Sequence, residues 1–143
     1  MEITKALKAV KTPSNKPVSH GVGRRKSCVA RVWLTPGTGK VTVNKKDYAV
    51  YFDTEWSRLD ASILSRVCPA SKEYDVMANI AGGGINAQAD ALTLATSRAL
   101  VAIDESLRIL LRKHDLLTVD SRLKERKKYG QKAARRKFQF VKR

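Results

Sequence analysis

The stretch EYDVMANIAGGG, residues 73–84, decides the fold class. From Tyr74 to Ile80, apolar side chains alternate with more polar ones, which is the period-two pattern of a half-buried strand. Three glycines then make a turn, and an Ala- and Leu-rich segment over residues 87–104 predicts a helix. Small residues on neighbouring turns of that helix allow it to lie close against a sheet. This order of elements indicates a mixed α/β domain.

Two β-branched segments upstream predict further strands. Residues 27–35, SCVARVWLT, alternate in the same way, and residues 40–44, KVTVN, follow a turn marked by Pro36, Gly37 and Gly39. Because consecutive strands joined by a short glycine turn usually pair, we predict that the two segments form a hairpin.

Helical spacing of apolar residues predicts two more helices. The first lies between residues 53 and 69, and the second begins after Asp104. Large apolar side chains are usually buried, so we expect Trp56 and Leu107 to face the core. Residues 118–121 then close the folded part.

The charge of the chain is concentrated at its ends. The 143 residues carry 29 Lys and Arg against 13 Asp and Glu, which gives a net charge of +16. Residues 1–31 hold 8 basic residues and 1 acidic residue, residues 32–121 hold 10 and 11, and residues 122–143 hold 11 and 1. A near-neutral body with two cationic ends indicates a polyanionic partner and excludes most ordinary soluble enzymes.

Residues 122–143, which we call the tail, interleave cations with Tyr129, Phe138 and Phe140. Cations neutralise phosphates, and aromatic rings stack on bases, so this composition is typical of RNA binding. A nuclear-localisation run, a DNA-binding tail and a solvated solubilising tail are the alternatives. The tail has too few apolar residues to fold alone.

The amino-terminal residues 1–20 read as an extension. Lys5, Lys8 and Lys11 lie among small and polar residues, with Glu2 as the single acid. The segment is either a short helix followed by an arm or what is left of an organellar targeting peptide.

Signals of catalysis are weak. His20 and His114 have no nucleophile or paired carboxylate nearby in sequence, and Cys28 and Cys68 have no metal-ligand spacing, so we expect reduced, packed thiols and no catalytic residue, metal ion or cofactor. The run Gly82, Gly83 and Gly84 is either a tight turn between strand and helix or a phosphate contact. No apolar run approaches the roughly 18 residues of a membrane span, so we expect no membrane partner.

A series of short motifs, in order along the chain, resembles the family of the ninth protein of the small ribosomal subunit. The motifs cover about residues 21–143 and are specific in combination. They are Gly21-Val22-Gly23-Arg24-Arg25-Lys26, Ala30-Arg31-Val32, Pro36 to Lys40, Val43-Asn44, Tyr51-Phe52, Gly82-Gly83-Gly84, Gln88-Ala89, Arg98-Ala99-Leu100, Leu117-Thr118, Asp120-Ser121-Arg122, Glu125 to Gly130, Ala134-Arg135-Arg136, Phe138-Gln139-Phe140 and Lys142-Arg143.

The resemblance implies a single compact α/β (α+β) domain with a left-handed βαβ crossover, like the second domain of ribosomal protein S5, plus an extended basic tail. On this basis we expect an extension at 1–20, a globular rRNA-binding domain at 21–121 and a tail at 122–143. It also implies a non-catalytic structural protein of the small subunit that binds the rRNA of the head, touches neighbouring ribosomal proteins and contacts peptidyl-site tRNA.

Carried over by position, the resemblance assigns Lys142 and Arg143 to tRNA. The residues it assigns to rRNA, by family motif or by their position in the tail, are Arg24, Arg25, Lys26, Gly82, Gly83, Gly84, Arg122, Lys124, Arg126, Lys127, Lys128, Tyr129, Lys132, Arg135, Arg136, Lys137, Phe138, Gln139 and Phe140.

The chain departs from the family pattern at Ala87, Thr93, Ala95 and Val141. The start at residues 30–33 and the Val-Lys-Arg ending look more like mitochondrial and related bacterial branches, so we expect an organellar ribosome, preferably mitochondrial, with a plastid or the bacterial cytoplasm as alternatives. Two other functions stay open: a phosphate-transferring enzyme that uses the glycine turn, and a nucleic-acid-binding module that acts off the ribosome.

Overall fold

The computed structural model describes residues 16–140, so the expectations for residues 1–15, Val141, Lys142 and Arg143 lie outside the described residues. Five strands and four α-helices follow one another within that range. They are β1 (Ser19–Arg25), β2 (Cys28–Pro36), β3 (Val41–Val43), β4 (Lys46–Asp47), α1 (Tyr48–Tyr51), α2 (Glu55–Val67), β5 (Tyr74–Ala81), α3 (Ile85–Ile103) and α4 (Leu107–Lys113), with a 3₁₀ turn at Pro69–Glu73 between α2 and β5.

The strands form one mixed sheet in the order β1-β2-β5-β3-β4. β2 is antiparallel to β1 and to β5, whereas β3 is parallel to β5. The chain passes from β3 to β5 through α2, which makes the βαβ crossover of the expected fold. The mixed α/β architecture predicted from the sequence is confirmed.

The hairpin predicted between residues 27–35 and 40–44 is wrong. β5 lies between β2 and β3, and the hairpin of the fold joins β1 to β2 through the two-residue turn Lys26-Ser27. Lys26 has a φ of +53°, as such a turn requires. β1 begins at Ser19, so Ser19 and His20 pair with the body although the expected extension includes them.

Two glycines of β1 set the distance between the sheet and α3. A Cβ on Gly21 would collide with the Ala95 carbonyl oxygen and lie 2.9 Å from the Ala99 nitrogen, and one on Gly23 would lie 2.7 Å from the Ala95 nitrogen. Backbone atoms cannot move aside as a flexible side chain can. The small residues predicted on α3 therefore meet glycine on the strand, and the two backbones touch.

The core lies between one face of the sheet and the helices. Cys28, Ala30, Val32 and Leu34 of β2 are buried on that face, and the predicted alternation of β5 buries Val76, Ala78 and Ile80 in the same way. Both thiols, Cys28 and Cys68, are free and buried, as expected. Burial raises the pKa of the Cys28 thiol.

The expectation that Trp56 faces the core is wrong. Trp56 is 74% exposed on α2, with Leu59 and Ile63 partly exposed beside it, and Leu64 is the apolar residue of this helix that is buried. Helical spacing identifies an apolar stripe, but the packing of α2 on α3 covers only one edge of it. Leu107 is half-buried and packs against the core, as predicted.

Within residues 16–140, the helices are too short or too polar to span a membrane. The same residues contain no cluster of His, Cys, Asp and Glu side chains arranged to hold a metal ion.

Candidate nucleic-acid interface

The basic cluster Arg24-Arg25-Lys26 lies where β1 turns into β2. Successive strand residues point to opposite faces, so Arg24 and Arg25 cannot act alike. Arg24 and Lys26 are exposed and free to meet a phosphate, whereas Arg25 is half-buried. The sequence presents the three residues as one basic cluster, but in the structure Arg25 differs from Arg24 and Lys26 in its exposure.

Arg25 joins three separate parts of the chain. Its Nε donates to Oδ2 of Asp90 on α3 at 3.2 Å, and its Nη1 donates to the Asp120 carbonyl oxygen at 3.0 Å. Its Nη2 pairs with the Asp120 carboxylate at 2.9 Å. The guanidinium thus fixes the point where the tail leaves the body, and this use leaves it few donors for RNA.

Asp120 is held by Arg122 as well as by Arg25. Oδ1 accepts from the Arg122 backbone N–H at 2.9 Å, and Oδ2 accepts from Arg122 Nη2 at 2.7 Å. The side chain and backbone of Arg122, with a smaller contribution from Arg25, hold the pKa of Asp120 well below its usual range. We call the contacts of Arg25, Asp90, Asp120 and Arg122 the tail anchor.

The tail anchor is expected to weaken in acid. Because the pKa of Asp120 is lowered in the folded chain, its stabilising effect is complete above its ordinary pKa of about 3.9 and is lost as the pH falls below that value. Asp120→Asn removes this effect, so the difference in unfolding free energy between wild type and variant should shrink from pH 5 to pH 2. Chemical denaturation at a series of pH values measures it.

Asp53→Asn is the matched control for that experiment. Asp53 is exposed, and its carboxylate takes part in none of the side-chain hydrogen bonds described for residues 16–140. Its replacement should change the unfolding free energy little at any pH. A difference between wild type and Asp120→Asn that stays constant down to pH 2 would contradict the role given to Asp120.

Between residues 123 and 140 the tail has no regular secondary structure, and its side chains are almost all exposed. The hydrogen bonds described for residues 123–140 stay inside the tail. Arg135 Nε donates to the Glu125 carboxylate at 3.0 Å, and the Lys132 N–H donates to the Arg136 carbonyl oxygen at 2.8 Å. Arg135 lowers the pKa of Glu125, the single acidic residue of the tail. These exposed contacts join parts of the tail to one another, and none of the hydrogen bonds described for residues 123–140 reaches the body.

The aromatic residues of the tail are strongly exposed. Tyr129 is 98% exposed, Phe140 is 92% exposed and Phe138 is 65% exposed. Exposed rings leave apolar surface in water, whereas rings beside cations suit a surface that stacks on bases and binds phosphates. The remaining tail residues expected at rRNA are exposed as well: Lys124, Arg126, Lys127, Lys128, Lys132, Arg135, Arg136, Lys137 and Gln139.

The glycine run forms the tight turn that joins β5 to α3. Gly82 and Gly83 have φ values of +76° and +69°, and a Cβ on Gly83 would lie 2.8 Å from the Cβ of Cys28. A Cβ on Gly84 meets nothing within 4 Å. The turn explains the first two glycines without a ligand, and their expected contact with rRNA stays a prediction.

Three of the candidate residues, Arg24, Arg25 and Arg122, line one cavity together with Asp90 and Asp120. Lys26, the glycine run and the described tail residues after Arg122 are not among its lining residues. Arg24 and Lys26 lie at one end of the sheet, the glycine turn lies beside the same hairpin, and the tail leaves from the tail anchor. The sequence missed two exposed cations, Arg31 of β2 and Lys45 of the turn between β3 and β4. Arg31 could have been found from the sequence, because the alternation of β2 places its side chain on the face of the sheet that is not buried.

A small α/β body with a basic arm that exposes aromatic rings is typical of nucleic-acid-binding proteins. The chain belongs to the ribosomal protein S9/S16 family, whose model matches residues 23–143.

Several relatives in this family carry the name small ribosomal subunit protein uS9. The protein of Chlorobium chlorochromatii is 50% identical over 128 residues, which cover 90% of this chain and 99% of the relative. Those of Methylacidiphilum infernorum and Christiangramia forsetii are 48% and 49% identical, over 92% and 88% of this chain and 96% and 98% of the relatives. The resemblance stated from the motifs is confirmed.

Proposed function

We propose that this chain is a structural component of the small ribosomal subunit that binds the rRNA of the head and does no chemistry. The observation that carries the proposal is the tail, whose cations and aromatic rings between residues 123 and 140 are exposed. The family and the names of the relatives support the ribosome as its place of action. In this role the body packs on the subunit, and the tail runs between phosphate groups.

The body supplies the rest of the proposed contact. Arg24 and Lys26 bind rRNA phosphates beside the β1–β2 turn, while Arg25 holds the tail in the direction in which it leaves. Neighbouring ribosomal proteins cover part of the remaining surface, and the exposed Trp56 of α2 suits such a contact. Each of these residues then contributes to assembly on the subunit and not to catalysis.

The proposed contact with peptidyl-site tRNA rests on the family resemblance of Lys142 and Arg143, which lie outside the described residues. Two cations at the end of the tail would bind phosphates of the tRNA. The location in a mitochondrial ribosome rests on residues 30–33 and 141–143 and stays a prediction, since the relatives named above are bacterial.

Crosslinking in purified ribosomes tests the proposal. A photo-reactive amino acid is placed at Tyr129 or at Arg143 of the full chain, ribosomes that carry peptidyl-site tRNA are irradiated, and the subunits are separated by sedimentation afterwards. We expect the chain to sediment with the small subunit, position 129 to crosslink to rRNA of the head and position 143 to tRNA. A matched photo-reactive residue at Val50, which is 69% exposed on α1, serves as the control for contacts of the body.

Two results would each contradict a different part of the proposal. A chain that sediments in light fractions, away from small subunits, acts off the ribosome. A chain that sediments with the small subunit but crosslinks at position 143 only to rRNA or protein lacks the tRNA contact.

A further inference from the structure

The sheet has a second face, opposite α3, that carries a different kind of side chain. On β2 this face presents Val29, Arg31 and Trp33, and on β5 it presents Met77 and Asn79. Arg31 and Asn79 are exposed, and Met77 is 55% exposed. Within residues 16–140, this face is therefore open to a partner.

The strand register places one side chain from each of four strands in a single row across this face. His20 of β1 lies opposite Trp33 of β2, and Trp33 lies opposite Met77 of β5. The rings of His20 and Trp33 are 5.4 Å apart at their centroids, tilted by 45°. Thr42 of β3 continues the row beside Met77. The indole is therefore held from one side by an imidazole and bordered on the other by a thioether.

A shallow cavity of about 340 Å³ lies at the β2–β5–β3 end of this row. Its walls include Trp33, Met77, Thr42, Asn79 and Lys45. A volume of this size lies at the lower end of the roughly 300–1,000 Å³ typical of small-ligand sites. An indole wall offers a stacking surface, while an amide and a hydroxyl offer donors and acceptors for the edge of a base.

The side chain of the neighbouring Asn44 makes its hydrogen bonds within the protein, so it is not available to bind a ligand. Its side-chain oxygen accepts from the Ile80 N–H at 2.9 Å, and its amide donates to the Ile80 carbonyl oxygen at 3.0 Å. These bonds hold the β3–β4 turn, in which Asn44 and Lys45 both have positive φ. The turn projects the exposed Lys45 from the rim of the cavity.

Two cations lie at or near the cavity. Lys45 lines it, Arg31 lies next to Asn79 across the strand pair, and no acidic residue is among the described lining residues. Two carboxylates lie close to the lining residues, and each accepts hydrogen bonds from backbone N–H groups. Asp47 of β4, which pairs with Thr42, accepts from the Ala49 N–H at 3.1 Å. Asp75 lies on β5, two residues before Met77. Its Oδ1 accepts from the Thr38 and Lys40 backbone N–H groups at 2.8 and 2.9 Å.

We propose that this open face binds an unpaired nucleotide of RNA, with the base stacked on Trp33 and the phosphate held by Lys45 and Arg31. The inference rests on the proposed function and adds to it a second RNA contact, independent of the tail. A stacking ring, an amide, a hydroxyl and two cations form the set of groups that proteins use for single-stranded RNA.

Tryptophan fluorescence tests the inference in the full chain. The chain has two tryptophans, so Trp56→Phe leaves Trp33 as the single emitter. Titration with a fluorescently labelled, unstructured adenosine hexanucleotide gives total binding from anisotropy and occupancy of the cavity from quenching of Trp33. We expect saturable quenching. Arg31→Gln together with Lys45→Gln should raise the RNA concentration at half-quenching about fivefold.

The control replaces two exposed cations away from this face, Arg66→Gln together with Lys72→Gln, and so matches the change in net charge. It should leave half-quenching unchanged. RNA binding in anisotropy without quenching of Trp33 would overturn this inference and leave the proposed function standing. An equal shift in both double variants would also overturn it. Absence of binding in both measurements would contradict the proposed function as well.

Discussion

A chain that ends at Leu123 is expected to bind rRNA of the small-subunit head about 1,000-fold more weakly than the full chain at 0.1 M salt. The truncation removes ten of the eleven tail cations and the aromatic residues. Each cation placed at a phosphate releases a counterion, so the loss of several contacts multiplies. Stacking by the exposed rings of Tyr129, Phe138 and Phe140 is lost at the same time. Filter binding with head rRNA measures the two affinities.

The truncation keeps the tail anchor, so the body should stay intact. None of the hydrogen bonds described for residues 123–140 reaches the body, and both chains should unfold at the same temperature. A second variant, with Tyr129, Phe138 and Phe140 changed to Ser, keeps every cation and isolates the contribution of stacking. Affinity of the truncated chain within about threefold of the full chain would show that the body alone binds rRNA.

Gly21→Val is expected to cost more than about 4 kcal/mol of unfolding free energy, enough to prevent a small domain from folding. The added side chain meets the backbone of α3 at Ala95 and Ala99, which cannot move without separating β1 from the helix. Chemical denaturation followed by circular dichroism measures the loss. Gly21→Ala, which adds one methyl group, provides a second variant if the first does not fold.

The matched control is Gly84→Ala, at the start of α3. A Cβ there meets nothing within 4 Å, and the residue has an ordinary extended backbone. It should change the unfolding free energy by about 1 kcal/mol or less. Equal stability of Gly21→Val and wild type would mean that β1 and α3 do not lie in backbone contact.

The sequence predicted those elements whose signal is local. β5, the glycine turn and α3 were all anticipated, because alternation, a glycine run and helical spacing each act over a few residues. β1 was missed, since its inward positions are Gly21 and Gly23 and its last residues are two arginines. Those glycines make sense only beside Ala95 and Ala99, which are distant in sequence.

The hairpin error has a related cause. Short loops favour pairing of consecutive strands, but β5 enters between β2 and β3 from more than thirty residues further along the chain. Pairing of that kind is set by the packing of α2 and α3, which no local pattern reports. For the same reason, only part of the candidate interface could be predicted from the sequence. Composition predicted the tail, whereas the partners of Arg25 are 65 and 95 residues away.

The role of the tail is decided by the salt dependence of rRNA binding. The logarithm of the affinity of the full chain and of the chain that ends at Leu123 is plotted against the logarithm of salt concentration. Each phosphate neutralised by the tail adds about 0.7 to 0.9 to the slope. We predict that the full chain has the steeper slope by about 5 or more. Equal slopes for the two chains would contradict the conclusion that the tail cations bind RNA phosphates.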